Sequence, residues 1–471
     1  MIKFGTGGWR AIIGEDFTKA NIQILAKAMS DKMKAEGVAD KGLVMGYDRR
    51  FLSKETVKWS CEVFAAEGIV CHFVCRSVPT PLVMYHVMKH DYPYGMMVTA
   101  SHNPSLYNGI KVFTAGGRDA DEVQTADIEK YIARVDPEKI SHMDYEKAVA
   151  AGLVEEFYPM NEYIDDVMAK VNMQAIRDAG LRVVLDPMYG VGEKALSTIL
   201  ISGRCDLEVI HQEHDTLFGG KMPAPSAELL HLLRTRVLDG GFDMGLALDG
   251  DANRLGVIDD LGNYLHPNDI LVLLYYYLVK YKGMTGPVVR NLSTTHRLDA
   301  IAESFGQKCI EVPVGFKHIS AGMAKYDAVL GGESSGGLTV AGHIRGKDGV
   351  YAASLLVEMV AVTGKKLSEL MKIIKKEYGS CYMDENSYTF DPERKAPLQE
   401  RIFTKRELPE FDGYEIRKVS YMDGCKVYFE NGGWVVIRFS GTEPLLRVFC
   451  EMPTKWEATA ICDTVKEYYD I

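Results

Sequence analysis

The feature that most limits what this chain can fold into is an alternation of short apolar runs and helical stripes that stops and restarts along the sequence. Residues 21–34 carry Ile22, Leu25, Met29 and Met33 on one helical face. Residues 42–47 then read as a buried strand, and residues 56–66 as a helix for which Ser53 is the expected N-cap. A strand at 69–74, a helix at 81–89 and a strand at 96–99 continue the series. It restarts with strands at 181–185, 244–248, 255–258, 287–290 and 308–312, a helix at 295–304 and a longer one at 348–362. This βαβα rhythm predicts α/β architecture with largely buried sheets. The last stretch departs from it: residues 414–419 and 425–429 look like hairpin strands before the turn Glu430-Asn-Gly-Gly433, as in a small α+β domain.

A chain of 471 residues is too long for one hydrophobic core. At about 150 residues per domain, three or four are expected. The boundaries fall near 150, 262 and 375, giving domains 1–150, 151–262, 263–375 and 376–471. No low-complexity linker or solenoid-length repeat is seen. The net charge of −11 argues against nucleic acid, which needs a basic face, but leaves room for a small phosphorylated ligand. No signal-peptide pattern opens the sequence, and the apolar stretch 270–279 is far short of a membrane span. The expectation is a cytoplasmic protein without a membrane partner. The nine cysteines form no Cys-x-x-Cys pair, so they signal neither zinc nor a redox dithiol.

Four loops carry the chemistry. Thr99-Ala-Ser-His-Asn-Pro104 presents the Ser101 hydroxyl at a strand end, with Lys111 shortly after it. Asp249-Gly-Asp-Ala-Asn-Arg254 alternates two carboxylates and an amide oxygen, hard ligands suited to Mg²⁺ or Ca²⁺. An EF-hand is a poor match, because its sixth position needs Gly and here holds Arg254. A phosphatase of the D-x-D type, with Asp249 as nucleophile, is the stronger alternative. Gly331-Gly-Glu-Ser-Ser-Gly-Gly337 offers Glu333 and Ser335 to vicinal sugar hydroxyls, with Lys347 close behind. Arg438-Phe-Ser-Gly-Thr-Glu-Pro444 supplies Arg438, Ser440, Thr442 and turn N–H groups for an anion. Phosphoryl transfer on a sugar by way of an enzyme hydroxyl would use all four.

With Phe4-Gly-Thr-Gly-Gly-Trp-Arg10 ahead of them, these motifs occur in an order and spacing that resembles the α-D-phosphohexomutase superfamily over essentially the whole chain, most like bacterial phosphoglucomutase/phosphomannomutase. The resemblance implies three related α/β domains and a C-terminal α+β domain like the TATA-binding-protein fold. It implies an isomerase that interconverts hexose 1- and 6-phosphates through a phosphoserine and a 1,6-bisphosphate. By it, Ser101 is the phosphoryl carrier, and Asp249, Asp251, Asn253 and the Ser101 phosphate hold Mg²⁺. Arg10, His102 and Lys111 surround the transferring group, and Lys111 or Lys347 gives acid–base help. Glu333 and Ser335 hold the sugar, Lys317 contacts sugar or phosphate, and Arg438, Ser440, Gly441 and Thr442 hold the other phosphate. Glucose 1,6-bisphosphate is the implied activator, small sugar phosphates are the partners, and a monomer or homodimer is expected.

The third metal position is usually aspartate in the family and is Asn253 here, which removes one negative charge. Ser334 and Gly337 stand where glucosamine- and mannose-type members carry other residues, and the Gly-Gly ending looks like glucose-specific members. Glucose phosphates are therefore the expected substrates, with mannose phosphates secondary and glucosamine or pentose phosphates as alternatives. A non-catalytic sugar-phosphate sensor would have no reason to retain Ser101 beside both loop carboxylates.

Overall fold

The computed structural model describes residues 2–5, 8–440 and 445–471. The chain divides into two compact units, Met1–Ile270 with Ser335–Ser368, and Leu271–Ser334 with Glu369–Ile471.

The first unit contains two sheets. In the larger, the order in space is Phe4–Gly5, Gly8–Ile12, Tyr107–Thr114, Tyr94–Val98, Leu43–Tyr47, Cys71–Val74 and Val154–Phe157. Strands Tyr94–Val98, Leu43–Tyr47, Cys71–Val74 and Val154–Phe157 run parallel, while Tyr107–Thr114 turns back antiparallel to Tyr94–Val98. The sheet thus takes its last strand from beyond residue 150. Leu43–Tyr47 and Tyr94–Val98 are buried at every position, as strands covered on both faces must be. Helix Lys19–Ala35 buries Ile22, Leu25, Met29 and Met33 completely, the stripe visible in the sequence. Helix Thr80–Lys89 lies close on the sheet because a Cβ at Gly46 or Gly95 would stand 2.5 Å from Val83 or 2.4 Å from Val87.

Ser53 is not the expected N-cap. Leu52, in the left-handed region at φ 63°, occupies the cap position of helix Ser53–Ala66. Ser53 is its first helical residue, and its hydroxyl donates instead to Asp48 Oδ1. The second sheet runs Asp206–Val209, Arg182–Asp186, Met244–Leu248, Leu255–Ile258, Tyr264–Leu265. Its first three strands are parallel and the last two antiparallel.

In the second unit, Val288–Asn291 lies between parallel partners Cys309–Val312 and Leu330–Gly332. The C-terminal sheet is antiparallel, in the order Tyr382–Thr389, Leu445–Met452, Trp434–Phe439, Cys425–Phe429, Ile416–Ser420. Helix Lys455–Tyr469 covers one face and buries Ala458, Ile461, Cys462 and Val465. Trp434 and Val436 point from the other face onto Leu292. Among the described residues no helix is long and apolar enough to cross a membrane, and none of the nine cysteines is in a disulfide.

Candidate active site

The Ser101 loop connects Tyr94–Val98 to Tyr107–Thr114 and is fixed by a buried polar network. Thr99 Oγ1 accepts from the Ser101 N–H at 2.8 Å and donates to Asp48 Oδ2 at 2.6 Å. The Arg50 guanidinium, wholly buried, donates to the carbonyls of Ser101 (2.7 Å), Asn103 (2.6 Å), Pro104 (2.8 Å) and Tyr107 (2.9 Å). Asp48 balances its charge, with an Nε–Oδ2 distance of 3.3 Å. Ser101 is thereby held at φ 54°, a left-handed conformation that non-glycine residues rarely adopt. Its Oγ donates to Asp249 Oδ2 at 2.8 Å.

The loop at 249–254 is equally fixed. Asp249 Oδ1 accepts from the N–H groups of Asn253 and Arg254, both at 2.9 Å, and Ala252 turns the chain at φ 60°. Gly250 admits the Ser101 loop, because a Cβ there would stand 2.7 Å from the Ser101 carbonyl. Asp251 Oδ2 accepts from Lys111 Nζ (2.6 Å), Thr80 Oγ1 (2.6 Å) and Asn253 Nδ2 (2.9 Å). Burial and the neighbouring Asp251 charge push Asp249 above the usual carboxylate range. Burial opposes the ionised form of Asp251 too, but Lys111 and the hydrogen bonds outweigh it and hold Asp251 below the usual range.

The residues fit a hard cation. The Oδ1 atoms of Asp251 and Asn253 are buried and accept no hydrogen bond from the described residues, so two oxygens of the loop are uncommitted among them. They belong to the donor set that suits Mg²⁺. The phosphatase alternative, with Asp249 as nucleophile, gives no role to Ser101, whose hydroxyl donates to Asp249 Oδ2.

Positive charge gathers beside the serine. Arg10 and Arg254 lie near enough that burial and the Arg254 charge lower the Arg10 pKa, and the Nε atoms of both are buried without a hydrogen-bond partner among the described residues. Gly109 makes room for the Arg10 strand, where a Cβ would stand 2.3 Å from the Trp9 carbonyl. Burial, Arg254 and Arg10 push His102 down to about 2, so its ring is neutral and its unpartnered Nδ1 adds no charge. Lys347 contributes to the same positive field. Its stem occupies the space a Cβ at Gly337 would need, with Cδ 2.1 Å away. Asp348 holds that segment: it caps helix Gly349–Thr363 through the Tyr351 N–H and accepts from Tyr163 Oη (2.7 Å) and His343 Nε2 (2.6 Å).

The first unit therefore gathers Arg10, Ser101, His102, Lys111, Asp249, Asp251, Asn253 and Lys347. Ser335 belongs to the same unit. Glu333 is in the second unit and buried at the end of Leu330–Gly332. Lys317 is also there, in the first turn of helix Phe316–Tyr326. Asp423 ties its neighbourhood to Arg438: Oδ2 accepts from the Val314 N–H at 2.9 Å and Oδ1 from Arg438 Nε at 3.0 Å. Ser440 is buried. Gly441 and Thr442 lie outside the described residues.

Sequence reading missed Asp48, Arg50, Thr80 and the support given to Lys347 by Asp348. The run Tyr47-Asp48-Arg49-Arg50 directly after a buried strand was the one local signal, since charge placed there has to find buried partners.

Comparison with known proteins gives the same assignment along the chain. Family models for phosphoglucomutase/phosphomannomutase match residues 1–139 (α/β/α domain I), 161–262 (domain II), 266–378 (domain III) and 405–467 (C-terminal domain). A "Phosphoglucomutase/phosphomannomutase" of Thermococcus kodakarensis is 28% identical, over 97% of this chain and 95% of that protein. A "Probable phosphoglucosamine mutase" of Methanosarcina acetivorans is 32% identical, over 97% and 96%. The crystal structure of a phosphoglucomutase/phosphomannomutase family protein from Burkholderia thailandensis superposes with a TM-score of 0.83 at 21% identity, covering 100% of this chain and 98% of that one. The chain belongs to the phosphoglucomutase/phosphomannomutase family of the α-D-phosphohexomutase superfamily, a family of four-domain phosphotransferase isomerases.

Proposed function

We propose that this protein interconverts glucose 1-phosphate and glucose 6-phosphate through phosphorylated Ser101 and glucose 1,6-bisphosphate, which also serves as activator, with mannose phosphates as side substrates. The observation that carries this reading is the Ser101 hydroxyl held 2.8 Å from Asp249 in a left-handed turn, in a site with two arginines whose buried Nε atoms have no hydrogen-bond partner among the described residues. A phosphate on that oxygen would sit where those arginines and Lys111 meet it.

In the forward direction the phosphorus–Oγ bond of phosphorylated Ser101 breaks as the free sugar hydroxyl bonds to phosphorus. Arg10 and Arg254 take up charge on the transferring oxygens. Acid–base help is assigned to Lys111 or Lys347; Lys111 already serves Asp251 as counter-charge, and we give the role to Lys347, which as the neutral amine takes the proton of the attacking hydroxyl and passes it to the leaving Ser101 oxygen. The bisphosphate turns round and its other phosphate returns to the Ser101 oxygen. Mg²⁺, held by Asp249, Asp251, Asn253 and the serine phosphate, would offset charge on the transferring group. Glu333 and Ser335 bind sugar hydroxyls, and Lys317, Arg438, Ser440, Gly441 and Thr442 take the phosphate that stays in place. The four domains implied are 1–150, 151–262, 263–375 and 376–471.

A second reading, phosphoglucosamine mutase, is favoured by relatives of that name at up to 32% identity. Against it stand Ser334 and Gly337, at positions where the family resemblance puts other residues in glucosamine-type members. The deciding assay follows glucose 6-phosphate formation from glucose 1-phosphate with Mg²⁺ and a trace of bisphosphate, beside mannose and glucosamine 1-phosphates under suitable coupling. Turnover on glucose, abolished in Ser101→Ala, is expected. Faster turnover on glucosamine 1-phosphate would transfer the assignment to the second reading.

A further inference from the structure

Cysteine spacing signals no zinc in this chain, but a histidine cluster outside the candidate active site has the chemistry for it. His86 stands in the last turn of helix Thr80–Lys89 and His90 follows as the residue that ends it. Four residues apart, they share one face, with ring centroids 4.2 Å apart. Helix Met160–Lys170 sets Glu162 against both. Its Oε1 is 3.3 Å from His90 Nε2, and its Oε2 is 3.8 Å from His86 Nδ1. One donor atom from each of the three residues lies within 4.8 Å of the other two.

His86 supplies a second and independent observation. It is 6% exposed, and its Nδ1 is buried without a hydrogen-bond partner among the described residues, facing the Glu162 carboxylate. Buried polar atoms are rarely left unmade, and an orphan among other donors points to a missing ligand. The spacing fits an ion. A tetrahedral centre with bonds of about 2.0 Å separates its ligands by about 3.3 Å. With Oε2 as the single Glu162 ligand, the separations are 3.5 Å to His90 Nε2 and 3.8 Å to His86 Nδ1, which need only small side-chain adjustment to meet that. The donor set also discriminates. Two imidazoles and one carboxylate suit Zn²⁺, whereas the all-oxygen loop at 249–253 suits Mg²⁺.

We propose that His86, His90 and Glu162 bind one Zn²⁺, with water as the fourth ligand. The ion fastens helix Thr80–Lys89 to helix Met160–Lys170. The first of these helices carries Thr80 at its other end, where the hydroxyl and the backbone N–H both bond Asp251. The ion would therefore steady an element that supports the 249–254 loop while lying apart from it.

The test uses the full chain, stripped of transition metals and kept in saturating Mg²⁺ to occupy the aspartate loop. Zn²⁺ is titrated against a chromogenic chelator for wild type, His90→Ala and Glu162→Gln. Wild type is expected to bind one equivalent and to gain thermal stability from it. Both variants are expected to bind at least roughly tenfold more weakly and to lose the thermal gain. Their turnover in Mg²⁺ alone is expected to match wild type, because neither residue belongs to the catalytic machinery; this also establishes that they fold. Absence of a tight equivalent in wild type would overturn the proposal. So would an affinity unchanged in both variants, which would place the zinc elsewhere.

Discussion

Replacing Arg50 with lysine keeps the buried positive charge beside Asp48 but removes the planar fork. The two terminal nitrogens of Arg50 share four backbone carbonyls of the Ser101 loop, at 2.6 to 2.9 Å. A single ammonium nitrogen cannot stand at both nitrogen positions, so it keeps about half of these bonds. A hydrogen bond from a charged donor contributes about 1.5–3 kcal/mol, and the site is closed to solvent, so water replaces little of what is lost. Two lost bonds give a gross cost of roughly 3–6 kcal/mol, which relaxation of the loop reduces to about 3 kcal/mol. For a domain of this size that is a fall of roughly 6–12 °C in the thermal midpoint. The functional effect is expected to be larger. A shift of about 1 Å in a reacting group costs roughly a hundredfold in rate, and this network helps to hold Ser101 at φ 54°. Arg50→Lys is therefore expected to lower kcat about a hundredfold, to leave KM little changed, and to slow phosphorylation of Ser101 by the bisphosphate. Scanning calorimetry and the coupled assay measure both effects. A midpoint within about 2 °C and a kcat within about threefold of wild type would refute the clamp.

Three further expectations follow from the same geometry. Asn253→Asp loses the 2.9 Å bond to Asp251 and adds a third buried carboxylate, so in chelator it is expected to be less stable than wild type by about 2 kcal/mol; with Mg²⁺ it is expected to bind the ion roughly tenfold more tightly, and equal metal dependence in the two proteins would contradict this. Gly337→Ala places a Cβ 2.1 Å from Lys347 Cδ and displaces that side chain; kcat is expected to fall about a hundredfold at unchanged Ser101 phosphorylation, and an unaltered kcat would return proton transfer to Lys111. In the second unit, burial and then Arg290 push His296 from 6.5 down to about 4, consistent with its Nε2 accepting from Lys426 at 3.0 Å. Its contribution is full above pH 6.5 and is lost as pH falls toward 4, up to about 3 kcal/mol; His296→Gln is expected to flatten stability against pH across that window, and an unchanged slope would exclude His296 as its source.

The sequence by itself determined the α/β rhythm, because burial of a strand or of one helix face is written in local periodicity. Ile22, Leu25, Met29 and Met33 were readable as a stripe and are fully buried. The chemistry of the four loops was also readable, since a hydroxyl, paired carboxylates and Gly-rich turns announce themselves at short range. The tertiary structure decided which of these groups meet. Ser101 and Asp249 are 148 residues apart, Lys111 and Asp251 140, Thr80 and Asp251 171. No periodicity encodes such pairings. Ser53 shows the limit: at the sequence level its hydroxyl oxygen is expected to accept from the helix's first N–H groups, but Ser53 enters the helix itself and its O–H donates to the buried Asp48 carboxylate. Arg50 was unreadable for the same reason: nothing in its flanks says that four carbonyls of residues 101–107 wait for it. Local sequence fixes what a side chain can do, while the partner it does it with depends on the packing of distant strands, where desolvation makes every buried charge find a counterpart.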